Sequence, residues 1–136
     1  MATNLYRYYQ LPENKNLQDL AYIVMAFFEN YDGADLEMKT QNDTYLITCK
    51  TRFFLNDTDA FRTKMMGLDI NISVELYQEG DHVKVTYQQD INNLLQVIKG
   101  LVIANPVKGL FLIKGAIDRH NIPSKLHETI KAYLNS

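Results

Sequence analysis

The sequence predicts an α+β fold: two layers, with a four- or five-stranded antiparallel sheet and helices mainly on one face. Two patterns carry this prediction. Ile70, Ile72, Val74 and Leu76 alternate with polar residues, as do Val83, Val85 and Tyr87. Strands with one packed and one wetted face look like this, and such sheets are typically antiparallel. Elsewhere the period changes to 3.6. Leu17, Leu20, Ala21, Val24, Phe27, Phe28 and Tyr31 fall on one stripe of a helix. At 136 residues the chain suits one domain, 1–136, large enough to bury a core without metal or disulfides.

In chain order, residues 5–11 (LYRYYQL) read as a first strand ended by Pro12. The helix after it starts at Asn16, a natural N-cap, with Asp19 in its first turn and Gly33 as a left-handed stop. Residues 35–41 and 44–54 form a hairpin around Gln41-Asn42-Asp43, with Tyr45, Ile47, Cys49 and Phe53 inward. A short helix is expected from Asp57 or Thr58 to Met66, with Gly67 as its stop. The second hairpin turns at Gln78-Glu79-Gly80-Asp81. From Asp90, as N-cap, Ile91, Leu94, Leu95, Ile98, Leu101 and Val102 mark a helix that Asn105-Pro106 breaks. A last helix begins near Pro123, with Ile122, Leu126, Ile130, Tyr133 and Leu134 on one side.

The first six elements have the order βαββαβ, which resembles the ferredoxin-like arrangement followed by C-terminal helices. Without the N-terminal strand the order is similar to that of small dimeric secretion-chaperone-like folds. Both resemblances concern element order and rest on no motif.

The stretch IKGLVIANPVKGLFLIKGAI, residues 98–117, repeats an aliphatic residue followed by Lys-Gly three times. Its longest apolar runs, 101–104 and 110–113, are too short to span a bilayer. A phosphate-binding loop needs Lys after Gly and then a hydroxyl, which this stretch lacks. Lys99 and Lys108 fall about 180° apart on a continuous helix, so the lysines do not form one site. Residues 107–117 suit a short buried strand or a helix turn equally well.

Charge is unevenly spread. Residues 1–98 hold 8 Lys+Arg against 14 Asp+Glu, whereas residues 99–136 hold 6 against 2. The basic, amphipathic C-terminal region, about 90–136, is therefore the candidate interaction surface, through Lys99, Lys108, Lys114, Arg119, Lys125 and Lys131. Contact with an anionic membrane surface is a lesser possibility for the same helices. A nucleic-acid role is disfavoured, because the expected outer sheet face (Glu37, Lys39, Lys50, Arg52, Glu75, Tyr77, Lys84) mixes both signs.

No catalytic, cofactor or metal site is expected. Cys49, the single cysteine, falls on an inward strand position, where burial opposes thiolate formation. Asp118, His120, His127 and Glu128 lack metal-ligand spacing, and Asp57-x-Asp59 lacks the glycine and closing glutamate of a calcium loop. One cysteine and no visible signal peptide lead to the cytoplasm as the expected location. The sequons at Asn42, Asn56 and Asn71 then read as polar turn residues.

The function expected is that of a small non-catalytic protein acting through protein–protein contacts, as an adaptor, chaperone-like or regulatory domain, and homodimeric. Tyr6, Tyr8 and Tyr9 would add to such an interface. The alternative is a small-molecule-binding module or enzyme with an apolar pocket between sheet and helices, lined by Met25, Met38, Met65 and Met66.

Overall fold

In a computed structural model the five strands form one sheet, β1 (Ala2–Gln10), β2 (Ala34–Gln41), β3 (Thr44–Phe54), β4 (Gly67–Glu79) and β5 (His82–Ile91), in the order β1-β5-β4-β3-β2. The structure describes residues 2–31, 33–54, 67–100, 111, 113–118 and 121–136. Among the described residues the helices are α1 (Leu17–Asn30), α2 (Leu94–Gly100) and α3 (Ile122–Leu134), and residues 113–118 are also helical. The two-layer α+β architecture is thus the one the alternation implies.

Every strand pairs antiparallel with its neighbour. The ferredoxin-like arrangement needs a split βαβ unit, whose strands run parallel, so the strand pairing corrects that resemblance of element order. After α1 the chain builds the meander β2-β3-β4-β5, and β1 closes on its far side against β5 rather than in the middle. The expected short helix at 57–66 lies outside the described residues.

Local chemistry explains the boundaries. Asn16 caps α1, its Oδ1 accepting the Asp19 N–H at 2.8 Å. Gly33 ends the helix differently from expectation. Its φ is not in the left-handed region, where Gly80 lies at 62° as the one described glycine. Its N–H instead bonds Phe28 O at 2.9 Å, and a Cβ there would also lie 2.9 Å from that oxygen. Asn42, at φ 55°, makes the two-residue turn between β2 and β3.

The expected helix start at Asp90 also moves. β5 runs on to Ile91, which pairs with Ile70 and is buried, and α2 begins at Leu94. Between them Asn92 N–H bonds Asp69 O at 2.8 Å, while the Asn93 side chain accepts from Asp69 N at 2.8 Å and donates to Gly67 O at 2.9 Å. Backbone pairing with β4 outcompetes the helical period here, and Leu95 ends up exposed.

The core lies between the sheet and the helices. Ile47, Cys49 and Phe53 of β3, Leu68, Ile70, Ile72, Val74 and Leu76 of β4, and Val83, Val85 and Tyr87 of β5 are buried on one face. Leu17, Leu20, Ala21, Val24 and Phe28 of α1 meet them, with Ile122, Leu126, Ile130 and Leu134 of α3. Residues 113–118 join as helix: Ile113 and Ala116 are buried, and Lys114 is exposed rather than held in the apolar stripe. Among the described residues no helix is long and apolar enough to cross a membrane.

Candidate functional site

Because helices cover one face of the sheet, alternate residues of all five strands remain on the other. The register lines them up in cross-strand rows. One row runs Asn4, Gln88, Ser73, Thr48, Glu37 from β1 to β2. The row beside it runs Ala2, Asp90, Asn71, Lys50, Ala34. The first row, with Asp90, Asn71 and Lys50 of the second, floors a concavity of about 880 Å³. Sheet twist makes such a hollow, and small hydroxyl and amide side chains leave it open.

At the β1 side of the same face the chemistry turns aromatic. Tyr6 and Tyr8 meet edge to face, with ring centroids 6.0 Å apart. Lys84, opposite Tyr8, places its Nζ 5.0 Å from the Tyr6 ring and 5.9 Å from the Tyr8 ring. Tyr77 pairs with Lys84 on the next strand and is exposed as well. The charges on this face are mixed in sign and four of them form two pairs, Lys50 with Asp35 at 3.8 Å and Arg52 with Asp69 at 3.7 Å. All seven residues expected on the outer face (Glu37, Lys39, Lys50, Arg52, Glu75, Tyr77 and Lys84) belong to it by strand alternation.

A second concavity, about 470 Å³, opens on the helical side between β1 and α3, lined by Leu5, Arg7, Tyr9, Val85, Tyr87, Leu126, His127 and Ile130 among others. Tyr9 Oη lies 2.7 Å from His127 Nδ1, and Arg7 Nη1 lies 3.5 Å from Nε2. Burial pushes the Tyr9 phenol up, the nearby Arg7 opposes this, and Glu128 adds to it. Beneath them Tyr87 donates to Gln89 Oε1 at 2.6 Å, and burial raises its phenol strongly. Neither of the two described methionines expected in an apolar pocket, Met25 and Met38, lines this groove. Met25 and Met38 pack against the core, and Met65 and Met66 lie outside the described residues.

Three of the six basic residues expected to form one interaction surface are described with their side chains. Lys114, Lys125 and Lys131 are exposed in the helical layer, away from the open sheet face. Lys125 Nζ reaches Tyr31 of α1, 3.4 Å from the hydroxyl and 5.2 Å from the ring centroid. Lys131 sits six residues further along α3, which turns it about 120° away. The side chain of Lys99, Lys108 and Arg119 lie outside the described residues.

Burial pushes the Cys49 thiol up to about 11, as an inward strand position implies. His82 pairs with Asp81 at 2.7 Å in an exposed turn. Among the described residues no group of three or more His, Cys, Asp or Glu could hold a metal ion. His120 and the Asp57-x-Asp59 pair lie outside them.

Sequence reasoning missed two features: the Asn4–Gln88–Ser73–Thr48 row and the Tyr9–His127 contact. The row was half visible, since its members occupy the polar positions of alternating strands. Their adjacency depends on strand order, which alternation does not report.

No protein-family model matches this chain, and no curated protein sequence does. Among solved structures it is similar to a TBP-like protein from Parabacteroides distasonis, at 12% identity over 96% of this chain and 93% of that one, with a TM-score of 0.50. It also aligns with the Ran-binding protein Mog1p of Saccharomyces cerevisiae, at 11% identity over 92% of this chain and 70% of that one, with a TM-score of 0.42. The likeness to the TBP-like protein is one of fold.

Proposed function

We propose that this chain works by non-catalytic protein–protein contact, as an adaptor- or chaperone-like domain of the cytoplasm that receives a protein partner on its open sheet face and also self-associates. The observation that carries the reading is the composition and shape of that face. Tyrosines offer broad contact at little conformational cost, and Ser, Thr, Asn and Gln offer adaptable hydrogen bonds, the mix that recognition surfaces favour. Five strands about 4.8 Å apart and roughly 30 Å long give on the order of 600 Å², near what one side of a standard interface buries.

Charge selects the partner class. A nucleic acid would need a track of uniform positive charge, whereas Glu37, Lys39, Lys50, Arg52, Glu75, Lys84 and Asp90 mix both signs across this face. Mixed signs suit a folded protein surface, where they set register and exclude wrong partners. The basic residues Lys114, Lys125 and Lys131 belong in this reading to a separate helical surface.

A photo-crosslinking residue at Gln88, in the middle of the open face, tests the reading against one at Thr129 on α3. Adducts to one defined protein from position 88 alone are expected. Equal labelling from both positions, or none from position 88, would refute it.

The groove between β1 and α3 favours a second reading, a small-molecule site in which Arg7 and His127 meet the polar end of a ligand and Leu5, Val85 and Ile130 its apolar part. Native mass spectrometry checks it: a co-purifying small molecule lost in a Val85→Arg variant would support this reading over the first.

A further inference from the structure

The two edges of the sheet differ in how they guard their unpaired backbone. An open edge is a template for another strand, and proteins usually blunt it with charges, bulges or proline. β2 is blunted. Its register shifts between Ala34 and Glu37, Asp35 takes a φ of 52°, and Asp35, Glu37 and Lys39 put three charges in eight residues. β1 has none of these devices except one charge, Arg7. Its nine residues pair with β5 without a shift, no proline interrupts them, and no described strand lies on their outer side. Leu5, Tyr6 and Tyr8 are 47%, 62% and 56% exposed there.

We propose that the β1 edges of two copies pair antiparallel about a two-fold axis at Tyr6, so that each five-stranded sheet continues into the other. This rests on the self-association in the reading above and names its surface. A strand related to itself by such an axis must match open face to open face, so the axis passes through a residue and not between two. An axis at Arg7 would set two arginines directly opposite, which is repulsive. An axis at Leu5 would leave the Tyr9 end of the strand unpaired. At Tyr6, the midpoint of Ala2–Gln10, the whole strand is used. Asn4 then faces the partner's Tyr8, and Leu5 faces the partner's Arg7. No like charges meet. This self-complementarity favours a second copy over an extended segment of another protein.

The pairing would bring the two tyrosine clusters together at the seam and join two open faces into one. A partner bound across that seam would meet two copies of each contact, which links the self-association to partner binding.

Light scattering with size exclusion at micromolar concentration, on the full chain, tests the proposal. The wild type is expected as a dimer. Tyr6→Lys sets two ammonium groups opposite each other on the axis and is expected to give a monomer with an unchanged circular dichroism spectrum. Lys39→Glu on β2 is expected to remain dimeric. Tyr6→Cys supplies a readout that survives a poorly folded lysine variant. Directly opposite residues have Cβ atoms about 4.5–5.5 Å apart, so an intermolecular disulfide should form across the axis under mild oxidant. Asn4→Cys, which faces the partner's Tyr8, should not form it. A monomeric wild type would overturn both the self-association and this surface. A dimer that Tyr6→Lys leaves intact, or that Asn4→Cys cross-links as fast as Tyr6→Cys, would overturn the surface alone.

Discussion

β1 and β2 are the two outer strands of one sheet, nearly equal in length, and they are built on opposite rules. β2 is charged, bulged and twisted at Asp35, while β1 is regular, tyrosine-rich and carries one charge. Edges left open are a hazard unless something covers them. The contrast therefore separates an edge guarded against further strand pairing from one that carries little to prevent it. It also separates association from stability, because the buried contacts that hold the sheet together belong mainly to β3, β4 and β5.

That separation is open to direct tests. Ile72 lies at the centre of β4, 2% exposed, between the two edges. Ile72→Ala is expected to cost about 2–5 kcal/mol in urea unfolding. At low temperature the variant should keep the mass of the wild type and the same contrast in amide exchange between β1 and β2. A mass change at low temperature would mean that the core and the edge are not separable.

Cys49 tests the β2 side of the core. Burial disfavours its thiolate and pushes the thiol up from 9.0 to about 11. Below pH 9 the thiol is neutral folded and unfolded, so its contribution is fully present. Between pH 9 and about 11 the unfolded chain ionises first, and stability should fall by roughly 2 kcal/mol. Tyr9 and Tyr87, both raised by burial, add losses of the same sign at alkaline pH. Thermal melts across that range check the slope. At pH 8, native Cys49 should react with a thiol reagent far more slowly than the urea-unfolded chain does.

Tyr9→Phe removes the 2.7 Å contact with His127 that ties β1 to α3. About 1 kcal/mol of destabilisation is expected, read by chemical denaturation. Faster amide exchange should be confined to β1 and α3 and should leave β2 unchanged. The smallest effect is expected at β2 itself. Asp35→Gly relieves a positive φ but gives up an exposed ion pair with Lys50, so the net change should lie within about 0.5 kcal/mol. A large loss there would show that the bulge supports the fold as well as guarding its edge.

Much of this architecture was written in local patterns. The alternation in β4 and β5 and the stripes of α1 and α3 need only near neighbours along the chain, so their buried faces could be read directly. Where two tendencies competed, sequence reading failed: Ile91 fits a helical stripe, yet its pairing with Ile70, 21 residues earlier, keeps it in β5. Within the basic C-terminal region, the contact of Lys125 with Tyr31 of α1 depends on how two helices pack, which charge along the chain does not report.

By itself the sequence determined the fold class, the faces of the main elements and the inert setting of Cys49, because periodicity and burial follow from short-range chemistry. Only the tertiary structure decided which strands became edges and which polar residues share a row. Those depend on β1 pairing with β5 some 80 residues away. A strand pattern states which side of a residue is buried; it does not state what lies beside it.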